Sequence, residues 1–398
     1  MKHSVLIGGL LAGALAAGSA AASEPVRIGF LTDMTAAYSD IAGPGAEVAA
    51  RMAVEDYGGE VLGRPVELLV EDTQLDGERS LSIGQRMHEE EGIVALAEMV
   101  GTQVALPLQQ YAREHNLPAL HVGSASSILT GSECSPTAVD WVYDTYALAG
   151  AVVPAMAEQG HESWYFVTVD YVFGDVLQAD AEAMIEAVGG EVVGSTRHEF
   201  QATDLFAHLE EARDSGADVI AFANAGADLR NSIRQAYELG ILGSDDQEVV
   251  ALLATINDIQ SVGMFAARDL IYLTSFYWNM DEQTREWSRR FEQRHGVLPS
   301  MLQAGSYSVI YNFLEAMDRA GTTDGETVMD ALRTQPNEDF FARNSELRPD
   351  GRLQKDMYLV QVLSPQETEH RGDYLRVLQT IPGEDAVRPL EESECPHM

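Results

Sequence analysis

The sequence predicts an α/β protein of two Rossmann-like lobes, each a parallel sheet flanked by helices, joined by a hinge of three chain crossings. Three observations point there. At 398 residues the chain is too long for one ordinary core and suits two domains. From Val26 onward, short apolar runs alternate with segments of helical period. That alternation occurs twice, from Val26 to about Tyr143 and from about Trp164 to Leu253.

The expected strands are Val26–Leu31, Val66–Glu71, Ile93–Glu98, Pro118–Val122, Ser163–Val169, Val192–Ser195, Asp218–Ala223, Val249–Leu253, Leu270–Ser275 and Met357–Leu363. They are rich in Val, Ile, Leu and Phe and alternate little, as strands buried on both faces do. Leu177, Ala181, Met184, Ile185 and Val188 share one helical face. Leu205, Leu209 and Ala212 follow a Thr203-Asp204 cap signal. Leu229, Ile233, Ala236 and Tyr237 form a third stripe, and Ala304, Tyr307, Tyr311 and Leu314 a fourth. These stripes, tyrosines included, read as core. Tyr146–Gly160 reads as a helix that opens the second lobe. The mostly helical stretch from Phe276 to about Arg352 packs most simply on the first lobe, and Met357–Leu363 then rejoins the second.

The first residues read as a secretion signal, 1–22. Lys2 and His3 precede an apolar run from Val5 to Ala17, too short at ~13 residues to span a bilayer. Ala20-Ala21-Ala22 offers small residues for cleavage, and no cysteine stands nearby to carry a lipid. A net charge of −38 repels nucleic acid and anionic membranes. The bland account of that charge is a solvated acidic surface. No EF-hand loop and no Cys/His cluster is present, so no metal is expected. In an oxidising compartment the two cysteines, Cys134 and Cys395, favour one disulfide.

In open α/β sheets ligands sit beyond the carboxyl ends of the strands, so the loops there carry the functional question. One holds Tyr38-Ser39 before Gly43-Pro44-Gly45. Neither GxGxxG nor GxxxxGK[ST] occurs, so no nucleotide cofactor is expected. Val100-Gly101-Thr102-Gln103 and Gly123-Ser124-Ala125-Ser126-Ser127 bring hydroxyls and free N–H groups to helix starts. Such groups either cap helices or receive a carboxylate. The serine loop lacks the second glycine of a nucleophile elbow, and no histidine is positioned for a triad, so the chain does not read as an enzyme. From the second lobe come Asp170-Tyr171-Val172-Phe173-Gly174, Asn224-Ala225-Gly226, Ala254-Thr255-Ile256 and Ser275-Phe276-Tyr277-Trp278. Aromatics at these edges either wall a pocket or pack the hinge.

In this ordered series the chain resembles the leucine-binding family of type I periplasmic binding proteins, which feed ABC importers. The resemblance runs from Val26-Arg27-Ile28-Gly29-Phe30-Leu31 through the Tyr38 loop, Val66–Asp72, the two hydroxyl loops, Asp170–Gly174, Ala217-Asp218-Val219-Ile220 and the helix with Arg234-Gln235-Ala236 and Leu239-Gly240. It implies ligand contacts from Tyr38, from Val100, Gly101 and Thr102, and from Ser124, Ala125 and Ser126. Phe173 matches a stacking aromatic, and the Asn224 loop reaches in from the second lobe. Tyr146, Tyr171, Thr255 and Tyr277 complete the expected set. A sub-branch of the family has patterns similar to Cys134-Ser135-Pro136, Trp141–Tyr146, Asp339-Phe340-Phe341 and Cys395-Pro396, which strengthens the disulfide.

The resemblance implies a periplasmic receptor that closes about its hinge and serves ABC permease subunits. Family members that bind α-amino acids usually carry an acid where this chain has Ala254-Thr255-Ile256. The expected ligand is therefore a small carboxylate without an α-ammonium, an aromatic or keto/hydroxy acid. The alternative is a receptor for a branched-chain or other neutral amino acid or an amide. A sensory ligand-binding protein is the remaining option. The expected first lobe spans 24–145 plus 277–353 and the second 146–276 plus 354–365. The tail, 366–398, is tied back to the first lobe by the disulfide.

Overall fold

The computed structural model describes residues 23–398 except 245, 335, 369 and 371. The expected leader, 1–22, lies outside the described residues. The first sheet has six strands, in the order Glu60–Val61, Arg64–Asp72, Val26–Thr32, Ile93–Glu98, Ala119–His121 and Ala138–Asp140. Its pairs are parallel except for the short hairpin of the first two strands. Ala95 and Ala97 pack into one core cluster and Leu96 into another, as the two-residue period of a strand demands. Helices Gly43–Tyr57 and Met301–Ala320 cover the alanine face, and Gly77–Glu89 and Thr102–Glu114 the opposite one. Both faces are thus buried, which is why these strands read as apolar runs.

The second sheet has seven strands, in the order Leu375–Ile381, Met357–Val362, Ile271–Thr274, Glu248–Ala251, Val219–Ala223, Ser163–Val169 and Glu191–His198. The five internal-sequence strands are parallel, and the two carboxyl-terminal ones join antiparallel. Thr145–Glu158 and Val172–Ala187 flank one face, Phe206–Asp214 and Gly226–Glu238 the other. The chain crosses between sheets after Asp140, returns after Thr274 and crosses again after Gln354. The two-lobed α/β class is therefore the observed fold, and the tail adds a fourth crossing after Ile381 to the three expected. Buried Lys355 donates to the Ser275 carbonyl at 2.6 Å, which links the second and third crossings.

Among the described residues, five strands lie outside the expected set: Glu60–Val61, Ala138–Asp140, Glu346–Leu347 and Leu353–Gln354, all of two or three residues, and the longer Leu375–Ile381. Leu375–Ile381 lies within the segment expected to be tail, yet it forms the edge of the second sheet. Only its two end residues are buried, so no apolar run marks it. After Ile381 the chain returns to the first lobe, where Cys395 is bonded to Cys134 across a sequence separation of 261, with Cα atoms 5.4 Å apart. Closing so long a loop removes much entropy from the unfolded chain. Cys395→Ser is expected to lower unfolding stability by about 2–5 kcal/mol. Chemical denaturation with and without reductant measures this; identical midpoints would remove the bridge from the stability account.

Candidate ligand site between the lobes

The carboxyl ends of the two sheets face each other across the hinge, and loops from both lobes bound a narrow cavity. Its first-lobe wall is Tyr38, Ile41, Val100, Gly101, Thr102, Gly123, Ser124 and Ala125, with Tyr143 at the first crossing. Its second-lobe wall is Tyr171, Phe173, Ala225 and Leu253. Among the described residues, that wall carries no charged side chain.

The polar end is built by two loops. Gly101 turns with a φ of 92° into the helix Thr102–Glu114, which has no side-chain cap. First-turn N–H groups are thus left for another acceptor, where the helix dipole favours an anion. The Thr102 hydroxyl is committed: it donates to the Ser124 carbonyl at 3.2 Å and ties the two loops together. Ser124 Oγ is buried without a hydrogen-bond partner among the described residues. Ala125 beside it holds a φ of 47°, a left-handed conformation that costs a non-glycine residue energy and that clusters at ligand clamps. The rest of the cavity is apolar, aromatic through Tyr38, Tyr143, Tyr171 and Phe173 and aliphatic through Ile41, Val100, Ala225 and Leu253. Tyr171 lies 5.9 Å from Phe173 and 5.0 Å from Phe200, ring centre to ring centre, and Tyr38 meets Phe200 edge-on at 5.9 Å.

The lobes are closed. The Tyr38 and Tyr171 hydroxyls are hydrogen-bonded across the cleft. Burial raises both phenols above their ordinary range, so both stay protonated at neutral pH. The Ala227 N–H donates to the Ala37 carbonyl at 3.2 Å. Arg230 reaches Asp40 at 3.1 Å and Asp258 at 3.0 Å, and Ser127 donates to Asp180 at 2.8 Å. Each contact joins one lobe to the other, or braces a residue that does.

A model of the periplasmic binding protein family matches residues 25–367. The chain belongs to this family. A solved periplasmic binding protein from Burkholderia mallei is 36% identical over 94% of this chain and 99% of its own, with a TM-score of 0.91. A branched chain amino acid ABC transporter periplasmic ligand-binding protein from Burkholderia xenovorans is 35% identical over 94% and 99%, with a TM-score of 0.84. More distantly, a solute-binding protein from Rhodopseudomonas palustris, solved with 3,4-dihydroxy benzoic acid, has a TM-score of 0.81 at 18% identity over 93% and 99%. The family is one of substrate-binding transport proteins for ABC importers, not a class of enzymes.

In this periplasmic binding protein, eight of the residues singled out from sequence line the cavity: Tyr38, Val100, Gly101, Thr102, Ser124, Ala125, Tyr171 and Phe173. Five do not. Ser126 sits behind the wall with its hydroxyl buried. Tyr146 lies under the Arg388 guanidinium, 4.9 Å from its ring centre. Asn224 spends its amide on His198 and Ser232, both at 3.0 Å. Thr255 caps the helix Ile256–Val262 in a reciprocal pair with Asp258. The Tyr277 hydroxyl turns away to the Gly372 carbonyl at 3.3 Å. For the last four a hydrogen bond or ring contact claims the group, whereas the Ser126 hydroxyl is buried with no partner among the described residues. Conversely, Ile41, Gly123, Tyr143, Ala225 and Leu253 line the cavity but were not among those residues. Leu253 stood within an expected strand, which ends two residues earlier at Ala251. Tyr143 follows a three-residue strand too short for any period to reveal.

Proposed function

We propose that this periplasmic binding protein holds a small carboxylate, an aromatic or keto/hydroxy acid, in the cleft between its lobes. One observation carries the reading: a wall of hydroxyl and amide donors at one end, aromatic rings and aliphatic groups elsewhere, and no charged side chain. Helix-start N–H groups and a serine hydroxyl suit a carboxylate. An α-ammonium would need a buried counter-charge, because an unpaired one costs several kcal/mol. Asp258, the acid next to Ala254-Thr255-Ile256, is already engaged by Thr255 and Arg230. The dihydroxybenzoic acid held by the distant R. palustris protein supports the reading, since the same fold admits an aromatic acid. On this proposal residues 1–22 are cleaved on export without a lipid anchor, and the closed form delivers its ligand to ABC permease subunits.

A second reading, a receptor for a neutral amino acid, has one observation in its favour. Asp228 keeps one buried carboxylate oxygen without a partner among the described residues, in electrostatic contact with Tyr38 and Tyr171. Burial raises its pKa to about 6. A thermal-shift screen separates the readings. Stabilisation by benzoates or by keto or hydroxy acids supports the first, and stabilisation by leucine, isoleucine or valine alone overturns it.

The carboxylate end is tested by Ser124→Ala. Loss of a hydrogen bond to a charged acceptor costs about 1.5–3 kcal/mol, a roughly 10- to 150-fold weaker Kd. Ser126→Ala, behind the wall, is expected to leave Kd within about twofold. Calorimetric titration showing the opposite pattern would move the carboxylate to Ser126.

A further inference from the structure

Phe200 stands outside the wall of the ligand cavity, yet its ring meets both tyrosines that shut it. Tyr38 of the first lobe lies 5.9 Å away, edge to face, and Tyr171 of the second lobe 5.0 Å away, ring centre to ring centre. Phe200 is half-buried and belongs to the second lobe, in the loop between the strand Glu191–His198 and the helix Phe206–Asp214. Its neighbours in that loop are Glu199, Gln201, Ala202, Thr203 and Asp204, so its ring is the loop's apolar contact across the cleft.

The loop is held firmly from behind. Asp228, Asn231 and Gln235 recur at i, i+3 and i+7, on one face of the helix Gly226–Glu238. Asp228 Oδ2 accepts from the Gln201 N–H at 3.1 Å, and Asn231 Nδ2 donates to the Ala202 carbonyl at 2.9 Å. Gln235 donates to the Thr203 carbonyl at 2.9 Å and accepts from the Leu205 N–H at 2.7 Å. Gln201, next to the ring, holds a φ of 63°, a left-handed conformation that persists only where the surroundings enforce it. The same helix meets the first lobe through the Ala227 N–H and through Arg230. One element thus aims Phe200 and carries the closing contacts.

We infer that Phe200 is a positioning residue for ligand retention: it props Tyr38 against Tyr171 in the shut cleft and sets how long a ligand stays, not which ligand is chosen. When the lobes part, Tyr38 leaves with the first lobe, while Phe200 and Tyr171 stay together on the second. The contact with Tyr38 therefore favours the closed form alone. Escape requires opening, so the contact slows dissociation. Encounter takes place with the open form, in which the contact does not exist, so association is untouched. The inference rests on the cleft being the ligand site, and is independent of the class of acid held there.

Stopped-flow kinetics on the full mature chain test it. The probe is whichever of benzoate, 3,4-dihydroxybenzoate, pyruvate and leucine stabilises the chain most against heat. Phe200→Ala is expected to raise the dissociation rate about tenfold and to leave the association rate within about twofold. Its ligand-free thermal midpoint should stay within about 2 °C of wild type. Phe200→Tyr keeps the ring and should keep the wild-type rates. Asn231→Ala loosens the loop from behind. It should raise the dissociation rate about threefold, and add nothing in the Phe200→Ala background. An unchanged dissociation rate in Phe200→Ala, an equal slowing of association, or additive effects of the two variants overturns the inference. Ser124→Ala keeps this failure apart from failure of the site itself. If Ser124→Ala weakens binding and Phe200→Ala changes no rate, only the role of Phe200 falls. If neither variant alters binding, or none of the four probes binds, the reading of the cleft falls and the role of Phe200 with it.

Discussion

Gly226→Val is expected to abolish ligand capture while leaving both lobes folded. Gly226 opens the helix Gly226–Glu238 of the second lobe with a φ of 57°, where a side chain is strained in any case. A Cβ there would stand 2.6 Å from the Ala37 carbonyl oxygen and 2.7 Å from Tyr38 Cδ1, both on the first lobe. The next residue donates the interlobe hydrogen bond to that same carbonyl. The clash vanishes when the lobes open, so the variant populates the open form. Affinity falls with the fraction of closed protein, and a loss of more than about a hundredfold is expected. The backbone strain alone costs about 1–3 kcal/mol of stability. Gly216→Val is the control: its φ is 67°, but nothing lies within 4 Å of its Cβ position. It should lose comparable stability and keep its affinity. Titration calorimetry with small-angle scattering reads both. Equal binding by the two variants would mean that closure does not govern capture.

The legible parts of this protein are those where burial leaves a periodic trace. Strands covered on both faces, such as Val26–Thr32 and Ser163–Val169, read as apolar runs because water touches neither side. Leu375–Ile381 was missed because an edge strand exposed along its middle has no reason to be apolar. The site divides along a similar line. Tyr38 and Ser124 stand in loops that follow strands, and Thr102 and Phe173 in the first turn of the helices that come next, so their order along the chain locates them at the sheet edge. Whether a loop residue faces the cavity is a different matter, decided by side-chain partners distant in sequence. Asn224 turns to His198, Thr255 to Asp258, and Tyr277 to Gly372. The closing contacts are the least legible of all. Arg230 and Asp40 are 190 positions apart and meet only when the hinge has folded and shut.

Glu98→Gln is expected to flatten the pH dependence of both stability and binding. Glu98 ends the strand Ile93–Glu98 and is fully buried. The Ser306 hydroxyl, from the helix Met301–Ala320, donates to one carboxyl oxygen at 2.7 Å, and the other oxygen has no partner. His121, opposite in register on the next strand, stays neutral because burial lowers its pKa to about 3. Tyr143 faces the carboxyl group as a neutral phenol. Among the described residues no cation offsets the desolvation, which raises the Glu98 pKa from 4.5 to about 8. The folded state therefore holds a proton that the unfolded state releases above about 4.5, so stability falls as pH climbs from there toward 8. The full window corresponds to a few kcal/mol, and about 2–4 °C in Tm accompanies each one. Asp140, raised from 3.8 to about 8, adds a parallel decline that survives in the variant. Glu98→Gln should thus match the wild type near pH 5 and exceed it by several degrees at pH 8.5. Binding follows the same acid. Its unpartnered oxygen stands 3.1 Å from where a Cβ on Gly123 would project, and Gly123 lines the ligand cavity. Ionised, it repels a bound carboxylate across that thin wall. Wild-type affinity for an acid should weaken above pH 8 while the glutamine variant holds constant. A parallel decline in both proteins would separate Glu98 from the ligand and leave the alkaline loss to Asp140 alone.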